Sequence, residues 1–218
     1  IFMHKNILIV GAGDSAVEIL DYLLQNKKIT PVKDNLYIFD IKFKNKKLIL
    51  NLFKKTFFFK KIQKIPYKNT FAIISHGDPF IREQYFKLLK RKKIKLMSFI
   101  HPSASVSTTA KIGNGVVICP QSVIGSFANI KENVFINSGS LIGHHCILGN
   151  NSVISPNVFL GGNSKIGYNC FLGANSNVYP MTKIGNKSKL SAGSSLSQSV
   201  GNGYLIHGNP AKGVKFKF

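Results

Sequence analysis

Histidine is the side chain that exchanges protons near neutral pH without a perturbed environment, and this chain has six, two of them adjacent as His144-His145. A neutral imidazole can take the proton that an amine must lose to attack an acyl group, which is the work of a general base. A second constellation lies near the start, where Gly11-Ala12-Gly13-Asp14-Ser15-Ala16 is followed by Asp40. Glycines let phosphates approach a helix N-terminus, while the carboxylate can accept hydrogen bonds from a ribose hydroxyl or a base. Cys119, Cys146 and Cys170 have no CxxC or metal-ligand spacing and read as small packing residues. His76 and His101 read as structural or ligand-adjacent, and His4 and His207 as solvated.

The glycine loop needs a strand before it and a helix after it. Ile7 to Val10 supplies an apolar strand, and Val17, Leu20, Leu23 and Leu24 follow at helical spacing. A second strand, Leu36 to Phe39, ends at Asp40; a third, Phe71 to Ser75, ends at His76-Gly77-Asp78 and leads into an amphipathic helix. These elements predict a partial Rossmann-like β-α-β unit over residues 1–99, with a basic, aromatic insert of undefined fold at 42–69. About 100 residues is short for a complete dinucleotide fold, so a nucleotide-diphosphate ligand fits better than NAD, and a nicotinamide dehydrogenase is disfavoured.

The histidine pair needs a different scaffold. Counting in sixes from Val106 through Ile112, Ile118, Ile124 and onward to Leu196, every position is Ile, Leu or Val. Gly often follows the aliphatic residue, as at Gly113, Gly125, Gly143 and Gly149, and a small residue such as Ser122, Ala128 or Cys146 sits four places after it. One residue in six then points into a narrow core, and the glycine is expected where the next corner needs a permissive backbone.

Charge narrows the function. Thirty Lys+Arg oppose eight Asp+Glu, for a net +22, which raises a nucleic-acid hypothesis. Residues 1–99 carry 21 basic and 7 acidic residues and the remainder 9 and 1, so the positive charge is spread over both halves. Only 2 of the basic residues are arginine, the side chain suited to bidentate recognition. Solvated lysine faces are the plainer reading, with a general pull on polyanionic small molecules beside it. No run of eighteen apolar residues and no signal-peptide pattern occur, so neither a membrane span nor secretion is expected, and a cytoplasmic location follows by default.

The hexapeptides resemble those of left-handed parallel β-helix acyltransferases, in which three hexapeptides make one 18-residue coil of a triangular prism. The whole arrangement, including Phe99-Ile100-His101-Pro102-Ser103-Ala104 and the closing Gly208-Asn209-Pro210-Ala211-Lys212, resembles the NeuD and PglD family of bacterial sugar acetyltransferases. That resemblance implies an α/β plus all-β chain: a Rossmann-like domain at 1–99, then a left-handed β-helix acetyltransferase domain at 100–218 with a short C-terminal tail. It implies a homotrimer with acetyl-CoA as co-substrate, no metal, and a nucleotide-linked amino sugar, 4-amino by preference, for surface glycan synthesis.

Residue by residue, the family's reactive histidine matches His144, the Asn that contacts the sugar amine matches Asn137, and the Gly whose N–H faces the thioester carbonyl matches Gly162. Gly11, Gly13, Asp40 and Gly77 fall on nucleotide-binding positions, and Gly162, Gly173, Ala174, Ala192 and Pro210 on cofactor-binding ones. The 18-residue coil supports this placement. Residues 144, 162 and 180 stack as His, Gly, Pro, and 138, 156, 174 and 192 as Ser, Pro, Ala, Ala, both narrow enough for a pantetheine arm. The column Glu132, Asn150, Tyr168, Asn186 reads as a solvated ridge, and Gly162 is expected to leave room for the acetyl group. Two features depart from PglD-type enzymes: His145 stands where they have Glu and Val153 where they have a second His, and the GxGHG form of the nucleotide loop is altered to Gly13-Asp14-Ser15-Ala16. Rival readings are O-acetylation of a sugar hydroxyl, as on sialic acid, and a non-catalytic nucleotide-binding trimer. A metal-dependent hydratase resembling γ-carbonic anhydrase needs three convergent histidines, whereas adjacent residues of a strand point apart.

Overall fold

In the computed structural model, residues 6–29, 34–66 and 68–216 are described; the expectation for His4 lies outside them. The chain divides into two compact units. One comprises residues up to Gly77 together with Gln84–Met97, the other Asp78–Glu83 together with Ser98 onward.

The first unit is a parallel sheet. Strands β1 (Asn6–Val10), β2 (Asn35–Phe39), β3 (Thr56–Phe59), β4 (Thr70–Ile74) and β5 (Lys95–Leu96) lie in the order β3-β2-β1-β4-β5. The central strands are almost wholly buried, as their continuous apolar runs require of a sheet covered on both faces. Helix α1 (Asp14–Gln25) buries Ala16, Ile19, Leu20 and Leu23, a single face at helical spacing.

The 42–69 insert is a helix, α2 (Lys46–Leu52), followed by β3 and a short 3₁₀ turn at Ile62–Lys64. The unit therefore has five parallel strands, not the three read from sequence. β3 escapes a pattern search because it is a partly exposed edge strand between Lys54-Lys55 and Lys60-Lys61, and lysine flanks are a usual protection against stray pairing at an edge.

The second unit is a parallel β-helix built from two-residue strands. Val117–Ile118 pairs with Phe135–Ile136, which pairs with Val153–Ile154 and then Phe171–Leu172, each step 18 residues long. Three such sheets form its faces. Fourteen of the sixteen repeat aliphatics are buried, with Val106 and Ile112 partly so, and Ser122, Ala128, Ser140 and Cys146 point inward beside them. The final turn is shorter: Lys189–Leu190 pairs with Leu205–Ile206, 16 residues on. In the short C-terminal tail, Tyr204–Gly208 and Ala211–Lys215 form an antiparallel hairpin across a cis Asn209–Pro210 bond.

The repeat glycines serve a purpose other than the expected one. A Cβ on Gly149 would meet the backbone of Gly167 and Tyr168 at 2.4 Å, so hydrogen is demanded by the neighbouring coil. The left-handed corners fall two residues later, more often on asparagine than on any other residue: Asn133, Asn151, Asn157, Asn163, Asn169 and Asn175 have φ between 54° and 62°. Asparagine tolerates that region better than most residues.

Three of those asparagines make a buried ladder. Asn133 Nδ2 donates to Asn151 Oδ1 and Asn151 Nδ2 to Asn169 Oδ1, both at 2.9 Å. At one end Arg82, fully buried, donates to the carbonyl and side-chain oxygen of Asn133 at 2.8–3.0 Å. At the other, Asn169 Nδ2 donates to Glu83 at 2.6 Å. Burial pushes the Arg82 guanidinium down to about 9, still a cation at neutral pH. This ladder is why the Asp78–Glu83 segment belongs with the β-helix.

Candidate functional site

In the first unit the glycine loop runs from β1 into α1. Gly11 has φ +115°, and a Cβ there would meet Ser75 Oγ at 2.5 Å. Only glycine fits. Gly13 caps α1 and has open space where a Cβ would stand. Gly11, Gly13, Asp14, Ser15, Ser75, His76 and Gly77 line a cleft of about 120 Å³, small for a whole nucleotide but at the N-terminus of a helix, where an anion is favoured. Ser15 and Ser75 were not singled out by sequence; Ser75 was visible only as the last residue of a strand.

Asp40 does not line that cleft. Its Oδ2 accepts the Ala12 N–H at 2.7 Å and its Oδ1 the Ile41 N–H at 2.6 Å, so the carboxylate braces the loop from behind. Its charge, after burial, also helps hold the Tyr85 hydroxyl above the usual phenol range.

In the second unit His144 is exposed and follows the strand Leu141–Ile142. Its ring lies over the main chain of Gly162, one coil on: a Cβ on Gly162 would fall 2.4 Å from His144 Nε2 and 2.6 Å from Cε1. The room expected there for an acetyl group is thus occupied by the imidazole itself. Among the described residues the Gly162 N–H has no hydrogen-bond partner, while its carbonyl accepts from Met181. The imidazole therefore stands against a main-chain segment whose N–H is unpartnered among the described residues.

The adjacent histidines do not point apart. His144 Nδ1 and His145 Nδ1 are 3.1 Å apart, with ring centroids at 5.3 Å. Strand alternation fails because His145 sits at a left-handed corner with φ +57°. Its ring stacks on Phe127, one coil earlier, at 5.0 Å, a partner that sequence reasoning missed although the spacing is one coil. Val153, in the place of the relatives' second histidine, is buried in the wall.

The other expected residues lie elsewhere on the prism. Asn137 turns its Oδ1 to the Ser138 N–H at 2.8 Å, and its amide nitrogen has no partner among the described residues. Gly173 stacks under Ala192, whose nitrogen would be 2.5 Å from a Cβ at 173, and the Ala174 carbonyl accepts from Gly193. Pro210 is exposed in the terminal hairpin. Tyr168 and Asn186, expected on a solvated ridge, instead line a surface groove of about 360 Å³ with Lys187, Asn202, Gly203 and Phe216. Cys119, Cys146 and Cys170 are buried, and burial pushes the Cys170 thiol up to about 11, which suits packing and not nucleophilic chemistry. Among the described residues no three His, Cys, Asp or Glu side chains gather as a metal site, and no helix is long and apolar enough to cross a membrane.

Residues 127–162 match the bacterial transferase hexapeptide (six repeats) family, and residues 164–198 match the hexapeptide repeat of succinyl-transferase. Among solved structures, the acetyltransferase domain of PglB from Neisseria gonorrhoeae FA1090 in complex with acetyl coenzyme A superposes with a TM-score of 0.84 at 23% identity, over 97% of this chain and 100% of that one. PerB from Caulobacter crescentus, in complex with CoA and GDP-perosamine, gives 0.83 at 22% identity over 96% and 97%. A mutant of GDP-perosamine N-acetyl transferase from Caulobacter crescentus, also with CoA and GDP-perosamine, gives 0.60 at 22% over the same shares. No curated protein sequence is a significant match. The fold is that of these enzymes: a Rossmann-like parallel sheet and a left-handed parallel β-helix.

Proposed function

We propose that the chain is an acetyl-CoA-dependent N-acetyltransferase acting on the amino group of a nucleotide-linked amino sugar, the 4-amino group by preference, in surface glycan synthesis. The observation that carries this reading is the His144 ring lying over the main chain of Gly162, whose N–H has no partner among the described residues. An acyl transfer needs a base for the nucleophile and a donor for the oxyanion, and in this reading His144 and the Gly162 N–H supply the two. Likeness to structures holding CoA and GDP-perosamine supports the substrate class, and the anion-favouring cleft at the start of α1 suits a nucleotide phosphate.

In this reading the amine attacks the thioester carbon as His144 Nε2 takes its proton. The Gly162 N–H donates to the developing oxyanion. Collapse forms the amide and expels the CoA thiolate, which takes the proton back from His144; no acyl-enzyme forms. Asn137 contacts the sugar amine, Gly11, Gly13 and Gly77 hold the nucleotide, and Gly173, Ala174, Ala192 and Pro210 follow the pantetheine arm. Three prisms pack as a homotrimer, since a closed ring gives each narrow column an equivalent cover; light scattering of an active monomer would refute that part.

The test is release of free thiol from acetyl-CoA with UDP-, GDP- and dTDP-linked amino sugars. His144→Ala should lower turnover by about 10² to 10⁴ with acetyl-CoA affinity nearly intact. Thiol release with sialic acid and none with any nucleotide amino sugar would replace N-acetylation by O-acetylation.

A further inference from the structure

Phe127 is an aromatic residue, 58% exposed, with φ +60°. A bulky side chain in the left-handed region is an outlier, and exposure removes the core-packing reason for tolerating it. The next residue in its column is His145, also left-handed, where other corners carry asparagine, glycine, Gln121, Met181 or Lys187. Met181, left-handed and 71% exposed in the same column, shows that conformation alone assigns no function; what sets Phe127 and His145 apart is what their rings touch. What they share is a ring stack at 5.0 Å and 29°, ending in the 3.1 Å contact between His145 Nδ1 and His144 Nδ1.

That contact holds one proton between two nitrogens. If His145 supplies it, neutral His144 must carry its own proton on Nε2, and the atom facing Gly162 has no lone pair to offer. If His144 supplies it, His144 Nε2 is free to accept and His145 keeps its proton on Nε2, which water can serve because His145 is exposed. Only the second arrangement makes a base. We propose that Phe127 and His145 are positioning residues for His144: the phenyl face fixes the plane of the His145 ring, and His145 Nδ1 accepts the His144 Nδ1–H. The neutral pair thereby does what an anionic carboxylate does elsewhere, and when His144 is protonated at Nε2 its Nδ1–H keeps the same acceptor. No proton needs to leave the pair during the reaction.

The tautomer is measured directly by two-bond ¹H–¹⁵N correlation spectra of histidine-labelled protein at a pH where both rings are neutral. This arm is independent of the acetyl-transfer reading; only the rate arm rests on it. In the native chain His144 should show its proton on Nδ1. His145→Ala should move it to Nε2 and lower kcat about ten- to a hundredfold with the KM for acetyl-CoA unchanged. His145→Asn keeps an acceptor near the Nδ1 position and suits the left-handed corner, so it should restore both tautomer and rate to within about threefold. Phe127→Ala should give a mixture of tautomers and an intermediate rate. The same His144 tautomer in native and His145→Ala protein would overturn the proposal. A tautomer that shifts as expected while turnover is untouched would uphold the positioning and remove His144 as the base.

Discussion

Replacing Gly162 by alanine adds one methyl group, and its consequences can be worked from the coordinates. Gly162 is not in the left-handed region, so the backbone accepts alanine without strain. The new Cβ would stand 2.4 Å from His144 Nε2, 2.6 Å from Cε1 and 3.0 Å from Cδ2. Ordinary contact lies near 3.5 Å, so the imidazole must retreat by roughly 1 Å. His144 is exposed and can swing into solvent, and the folded state should lose no more than about 0.5 kcal/mol. A reacting group displaced by that distance costs roughly a hundredfold in rate, or about 2.7 kcal/mol of transition-state stabilisation. The alanine N–H remains, so the loss would report the ring and not the oxyanion donor. Steady-state kinetics on Gly162→Ala, His144→Ala and the double variant form a cycle. The expected result is that alanine at 162 costs about two orders of magnitude alone and almost nothing once the imidazole is gone. Native turnover in Gly162→Ala, or full additivity with His144→Ala, would refute the shared location.

Asp40→Ala should free the Ala12 amide and loosen the nucleotide loop, raising the KM for the nucleotide sugar roughly tenfold or more, on the scale of about 1–3 kcal/mol for an orphaned buried donor, with kcat little changed. Asp40→Asn keeps an oxygen for that amide and should recover most of the loss; an Asn variant as poor as Ala would mean the carboxylate meets the ligand itself. Asn151→Ala breaks the buried ladder at its middle, leaving Asn133 and Asn169 each short of a partner. Thermal or urea unfolding should show a loss of about 2 kcal/mol or more, and Asn151→Gly, which relieves the φ of +62°, should be milder by about 1 kcal/mol. Equal stability of native and Asn151→Ala chains would show that water replaces the ladder.

The prism was legible because a core one residue wide forces an aliphatic side chain inward at every sixth place, a signal that accumulates over sixteen repeats. The glycine loop and the strands around it were legible for a similar reason, since a sheet covered on both faces shows up as unbroken apolar runs. Where these pressures relax, the sequence falls silent. Thr56–Phe59 looked like part of an insert because an edge strand need not be buried on both sides. The direction of His145 was misread because strand alternation does not continue through a left-handed corner. The repeat glycines were explained by backbone freedom when crowding from the next coil was the cause. The bracing role of Asp40 is silent in the sequence because its hydrogen bond to Ala12 spans 28 residues and leaves no local pattern. The asparagine ladder was invisible for the same reason, its ends lying 51 and 86 residues from their partners.

That ladder also acts as a ruler. Arg82 and Glu83 are consecutive, yet their side chains engage Asn133 and Asn169, two coil heights apart, or about 10 Å at the spacing of neighbouring strands. A solenoid can ordinarily gain or lose whole repeats with little penalty, because each contacts only its neighbours. Between residues 133 and 169 that freedom is reduced: one inserted coil would carry the last amide about 5 Å beyond Glu83 and break the hydrogen bond that ties the ladder to it. Growth by repeat duplication is therefore easier for this architecture outside the interval that the two charges span, and His144, which lies within it, keeps its height on the prism when the rest lengthens.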